Sequence, residues 1–319
     1  MINRELIRIK VVQLTYAYYQ NGNQNLENAE KELVFSLDKS YDLYNYLLDL
    51  IVAVTRVARQ RNEIALARYE RGDAPLPSNR FACNKFVAQL EENVMLNAWR
   101  EKLRHTWDDD INVVRSIFED IENSEFYLSY MAQDEEPTYE QDKELWRKLY
   151  KVFVVDNDAV SHMLEERSLY WNDDLAYSLT WCCKTLKSFE KGEAWKLFPL
   201  YQSELMEGSE VESDKAFVRK LLQAAFAGYD RYFSMISESV AGWEKERLFS
   251  TDVALIVMGL AEAATFPTIP VKVTINEYVE ISKFYGTQKS RSFVNGLLDR
   301  LVQSMVNDGK IVKEGKGLM

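Results

Sequence analysis

Two histidines, three cysteines and two short carboxylate runs are the residues whose types could carry out chemistry in this chain. His162 opens a His-x-x-Glu-Glu sequence, but a zinc-protease helix needs a second histidine four residues on. Both His105 and His162 therefore read as surface or partly buried structural residues. Cys182 and Cys183 are adjacent, so on a helix they point to different faces and cannot act as a Cys-x-x-Cys redox pair. They read as small buried apolar residues. Asp108-Asp109-Asp110 and Asp134-Glu135-Glu136 are the kind of group used in two-metal catalysis. Consecutive helical residues fan around the axis, however, and aspartates at a helix start complement the macrodipole. No phosphate-cradling Gly-rich loop and no Gly-x-Ser-x-Gly elbow is present. The expectation is a protein that works by binding, with no catalytic residue, no metal ligand set and no cofactor.

Basic residues near the start are better placed for binding. Arg4 and Arg8 are four apart and share a helical face, with Lys10 to one side. Guanidinium groups so spaced can grip successive phosphates or stack on an unpaired base, or they can form an ordinary solvated face. Tyr16-Ala17-Tyr18-Tyr19 follows and reads either as a stacking surface or as core.

The elements that must position these residues read as helices throughout. Twelve glycines and six prolines in 319 residues leave few turns, which favours long helices over a sandwich or barrel. Apolar periodicity predicts helices at 3–20, 38–70, 80–104, 108–132, 138–153, 158–168 and 171–189. Gly72–Pro77 breaks the chain before Ser78 or Asn79 as a cap, and Pro137 fits an early helical position. Glu204–Ser213 reads as a loop. Helices then follow at 214–228, 229–243, 253–264 and 274–285, with Gly286 as the stop of the last. Ser290 is placed to cap a final helix carrying Phe293, Leu297, Leu298, Leu301 and Met305. Gly259, Ala261, Ala263 and Ala264 allow close helix packing. No repeat of 20–50 residues and no strand pair is evident.

Net charge is −11, unevenly spread. Residues 22–212 hold 22 basic and 37 acidic side chains, while 1–21 with 213–319 hold 17 and 13, a balance of +4. The ends thus form a mildly basic unit able to approach phosphate. An odd cysteine count with an adjacent pair is no disulfide framework and points to a reducing, cytoplasmic setting. The first residues do not form a signal-type apolar region. No apolar run reaches the roughly 18 residues of a membrane helix, so no membrane association is expected.

The C-terminal run is the most specific feature. It reads Ile269-Pro270-Val271-Lys272-Val273-Thr274-Ile275-Asn276-Glu277, then Glu280-Ile281-Ser282-Lys283-Phe284-Tyr285-Gly286, then Ser290 and Phe293-Val294-Asn295-Gly296-Leu297-Leu298-Asp299. This closely resembles the signature of the NusB family of bacterial transcription antitermination factors. Asp252–Glu262 looks like that family's preceding helix, residues 214–243 fit its middle helices more loosely, and Arg4, Arg8, Gln13 and Tyr16 are similar to its first helix. The resemblance implies an all-α fold, a NusB-like helical bundle formed by 1–21 and 213–319. Residues 22–212 would be an inserted acidic helical subdomain, part of which completes the bundle.

It further implies transcription antitermination in ribosomal RNA operons, through binding of boxA-type single-stranded RNA together with NusE, a small-subunit ribosomal protein, within the transcription elongation complex. Carried over by position, Arg4, Arg8, Lys10 and Tyr16 are the expected RNA-binding residues. Asp252, Lys289 and Phe293 fall at or near the NusE-facing surface. Asn276, Glu277 and Asn295-Gly296 match the motif, and their structural reading is capping and close packing at Gly296. Two positions depart from the family pattern: Glu5 interrupts a helix that is usually more Arg-rich, and Lys289 stands where an acidic residue is common. Two further readings remain open. One is a protein-only helical adaptor that has lost RNA binding. The other is a NusB-like module of RNA-modification machinery, although no methyl-donor-binding Gly-rich unit appears.

Overall fold

A computed structural model describes residues 4–22, 25–103, 105–155, 157–192, 213–240 and 250–318. Among these, the chain is α-helical with no strand. Its thirteen described α-helices are α1 (Arg4–Gln20), α2 (Leu26–Glu70), α3 (Lys85–Glu91), α4 (Val94–Arg100), α5 (Ile111–Glu122), α6 (Glu125–Met131), α7 (Tyr139–Tyr150), α8 (Asp158–Arg167), α9 (Leu175–Ser188), α10 (Asp214–Ser239), α11 (Ser250–Thr265), α12 (Val271–Tyr285) and α13 (Ser290–Asn307). The chain divides into two compact units, residues 1–38 with 199–319, and residues 39–198. Drawn at these boundaries, the first unit holds 18 basic and 21 acidic side chains, net −3. The mildly basic character read from the sequence therefore does not extend over the whole unit.

In the first unit α11 is the central helix, packed against α1, α10, α12 and α13. Its sequence explains that position. Val253 to Leu260, apart from Gly259, is an unbroken run of apolar residues, each at most 4% exposed, and a helix apolar on all sides must be enclosed by others. Gly259 lets α13 come close: a Cβ there would lie 2.6 Å from Leu298 Cδ2. Lys313, beyond α13, donates from Nζ to the carbonyls of Ala263 and Phe266, which satisfies acceptors that a helix C-terminus leaves unpaired.

The second unit is organised around α7, which packs on α3, α6 and α9 and continues into a five-residue π-helical segment, Lys151–Val155. The part of α2 that belongs to this unit is tied in by side chains. Trp107 Nε1 donates to the Tyr46 carbonyl, Tyr150 to the Leu47 carbonyl, and the Tyr44 and Thr185 hydroxyls lie 2.6 Å apart.

Several boundaries differ from the periodicity reading. α2 begins at Leu26, twelve residues before the predicted start. The predicted 80–104 helix is two short helices, because Asn84 and Asn93 each accept backbone N–H bonds and start a new helix. Ser124 likewise divides the predicted 108–132 helix by capping α6. Asn84, not Ser78 or Asn79, is the cap before α3. Thr138 caps α7 through a capping box with Gln141, which leaves Pro137 just outside the helix. Residues 214–239 form one helix rather than two. Residues 204–212 of the expected loop and 241–243 of the expected helix lie outside the described residues. Ser290 is the first residue of α13, not its cap. Gly286 does end α12, but with φ −113°. Glycine is needed there for space, since a Cβ would lie 2.4 Å from Ser290 Cβ and 2.7 Å from the Ser282 carbonyl.

Candidate RNA and partner surface

α1 is not a helix with one apolar stripe. Leu6 through Val12 are all buried, with Arg8 and Lys10 each only 4% exposed. A buried guanidinium must find anions and acceptors, and Arg8 finds them in two other helices. Its Nε and NH2 donate to the two carboxylate oxygens of Glu262 on α11, at 2.7 and 2.8 Å, and NH1 donates to Glu277 of α12 at 2.9 Å. Glu262 is fully buried and also accepts from Thr274 (3.0 Å) and Tyr278 (3.1 Å). Burial opposes the charged guanidinium, but the Glu262 carboxylate outweighs it and raises the Arg8 pKa. Burial and the neighbouring Glu262 charge push the Tyr278 hydroxyl well above its usual value, so it stays a donor. This is a fully satisfied buried network joining α1, α11 and α12.

The expected grip of Arg4, Arg8 and Lys10 on RNA is therefore not laid out on a solvated face. Arg8 is committed to Glu262 and Glu277, and Lys10 is buried. Arg4 is half-buried, with Nε 3.6 Å from Asp214 and its guanidinium 4.4 Å from the centre of the Phe217 ring. Tyr16 is also half-buried. Gln13 donates to the Tyr285 hydroxyl at 3.0 Å.

Of the three residues expected near a protein partner, Asp252 is buried and accepts from Ser290 at 3.0 Å, joining the starts of α11 and α13. Its other oxygen has no hydrogen-bond partner among the described residues, and burial raises its carboxyl pKa, with the Ser290 bond working the other way. Lys289 is exposed and Phe293 half-buried at the first turn of α13. The structure thus separates Asp252, an internal tie, from the accessible pair.

The remaining signature residues behave differently from their structural reading. Asn276 and Asn295 are exposed, and neither side chain hydrogen-bonds to a described residue or caps a helix. With Glu280, Gln288, Arg291 and Ser292 they line a shallow polar groove of about 440 Å³ between α12 and α13. Gly296 is exposed with nothing within 4 Å of a Cβ, so it does not serve close packing within the chain.

Sequence reasoning did not single out Glu262 as a functional or structural partner. The available signal was a lone acid inside the otherwise apolar run Val253–Ala264. Elsewhere, His105 and His162 are exposed, and no group of three His, Cys, Asp or Glu among the described residues could hold a metal ion. Cys182 is buried, and burial raises its thiol pKa. No described helix is long and apolar enough to cross a membrane.

The NusB family profile matches residues 185–303, from within α9 to within α13. The transcription antitermination protein NusB of Alkaliphilus oremlandii is 33% identical over 99 residues, 31% of this chain and 72% of that protein. The chain belongs to the NusB family. The Salinibacter ruber NusB protein is 30% identical over 107 residues, 34% of this chain and 67% of its own length. That of Chloroherpeton thalassium is 33% identical over 105 residues, 33% and 50%. No solved structure matches. The NusB match begins at residue 185, ahead of residue 213, where the sequence resemblance begins.

Proposed function

We propose that this chain is a transcription antitermination factor that binds boxA-type single-stranded RNA of ribosomal RNA operons together with NusE, within the transcription elongation complex in the cytoplasm. The observation that carries the reading is the similarity to antitermination proteins, together with a signature whose asparagines, Asn276 and Asn295, have exposed side chains that bond to no described residue. Side-chain amides offer both donors and acceptors to base edges, and splayed single-stranded bases are read on those edges. Arg291, exposed in the same groove, supplies a guanidinium for phosphate or stacking.

In this reading Arg4 and Tyr16 remain candidate RNA contacts on α1, while Arg8 and Lys10 act from inside by fixing α1 against its neighbours. Lys289 and Phe293 form the NusE-facing pair, and Asp252 positions them through Ser290. The net charge of −3 on the first unit favours few phosphate contacts and hence a shallow salt dependence. The test is Arg291→Ala combined with Asn295→Ala, measured by fluorescence anisotropy on a boxA RNA and on a scrambled control. Selectivity should collapse while melting is unchanged. Retained selectivity would remove this groove from the RNA site.

A further inference from the structure

Apart from the surface described above, α1 and α10 line an aromatic slot of about 260 Å³, with Leu26 also in its lining. Its walls are Tyr18, Tyr19, Phe226 and Tyr229. Tyr19 stacks on Tyr229 with ring centres 3.5 Å apart, and Tyr18 and Phe226 lie 5.8 Å apart. Thr15 also lines the slot; it is 2% exposed, and its hydroxyl has no hydrogen-bond partner among the described residues. A buried polar group left unpaired in the free protein is suited to a ligand that pairs it.

The polar groups lining the slot leave acceptors open. Gln223 uses its amide nitrogen on Glu30, at 3.0 Å, which leaves its carbonyl oxygen available. Asp230 accepts the Tyr19 hydroxyl on one oxygen, at 2.8 Å, and keeps the other. The Tyr18 hydroxyl donates to Glu32 at 2.9 Å. One carboxylate, Asp230, therefore lines a set of electron-rich ring faces, while Glu32 is bound by the Tyr18 hydroxyl and Glu30 is paired with Arg219 at 3.2 Å. A nucleobase could stack on the walls, but its phosphate would meet the Asp230 carboxylate. An aliphatic side chain would leave Thr15 buried and unpaired, and an ammonium cannot stack as a plane.

We propose that this slot receives the guanidinium of an arginine from a partner polypeptide. The plane stacks against the tyrosine faces, its N–H groups donate to Thr15 Oγ1 and to the open oxygen of Asp230, and the Asp230 carboxylate balances its charge. This goes beyond the RNA reading and does not depend on the α12–α13 groove.

The test uses the full chain with ¹³C-labelled leucine methyls and follows Leu26 by NMR. The probe is the peptide Ac-Gly-Gly-Arg-Gly-Gly-NH2, with its citrulline counterpart and with adenosine and uridine monophosphates for comparison. A saturable Leu26 shift is expected with the arginine peptide, about tenfold weaker binding with citrulline because the charge assistance is lost, and no response to the nucleotides. Ala227→Phe fills the slot and should abolish the response. If that variant does not fold, Thr15→Val carries the test. It should weaken arginine binding while raising the melting temperature, because it deletes an unpaired hydroxyl, whereas a purely structural Thr15 would melt lower on substitution. Equal responses to arginine and citrulline, a response to nucleotides alone, or no response to the arginine peptide would overturn the proposal.

Discussion

Replacing Arg8 by methionine should destabilise the first unit severely without acting on RNA directly. The substitution keeps an unbranched apolar stem and deletes the charge. Glu262, fully buried, would lose both guanidinium bonds and, among the described residues, keep those from Thr274 and Tyr278. Removing one partner of a buried ion pair costs about 3–5 kcal/mol, because an uncompensated charge remains. For a unit of this size each kcal/mol moves the melting temperature by roughly 2–4 °C, so a fall of roughly 6–20 °C is expected by circular dichroism. Arg8→Lys should fall between, since a compact ammonium cannot reproduce the bidentate bond. Arg8→Met with Glu262→Met removes both charges and should recover most of the loss. Added salt should change these differences little, because buried pairs are weakly screened. The reasoning is refuted if Arg8→Met melts within about 0.5 kcal/mol of the parent, the range of ordinary surface substitutions. It is equally refuted if Arg8→Lys, fully folded, loses its RNA affinity.

Three further outcomes follow from single sites. Burial raises the folded pKa of Asp252, so the stability it allows is full below the unfolded value of about 3.9 and declines as pH rises through the folded value. Asp252→Asn keeps an acceptor for Ser290 and should therefore raise the melting temperature at neutral pH but not near about pH 3; an equal effect at both would exclude titration as the cause. Gly286→Ala must press on Ser290 and the Ser282 carbonyl and should cost about 1–3 kcal/mol in urea denaturation. Gly296→Ala meets open space and should instead stabilise by up to about 1 kcal/mol through helix propensity. If Gly296→Ala also weakened RNA or NusE binding, the open position would be shown to admit a partner's close approach.

The sequence showed the parts of the fold that depend on local pattern. α1, α12 and α13 follow from apolar spacing, and the small residues of α11 marked it for close helix packing, which Gly259 provides against Leu298. Breaks made by a single side-chain cap were less visible. Asn84, Asn93 and Ser124 start new helices inside runs whose periodicity continues across them, and only their hydrogen bonds reveal the interruption. The site was legible in identity but not in role. Arg4 and Arg8 share a helical face by spacing, yet Arg8 pairs with a carboxylate 254 positions away, and one sequence carries no record of such a pairing. Asp252 read as a residue at or near the partner surface because the family resemblance placed it there by position, but its burial depends on the packing of α13. The tyrosines at 16, 18 and 19 could equally have been core or stacking surface. Their division depends on α10, which places Tyr229 against Tyr19.

The central claim is most directly tested by binding of the purified chain to a boxA-containing RNA and a scrambled control, with and without NusE, at two salt concentrations. Selective binding strengthened by NusE, with a modest loss at the higher salt, is the result this account expects. Equal affinity for both RNAs, unaltered by NusE, would contradict it and leave a NusB-family bundle used for a different partner.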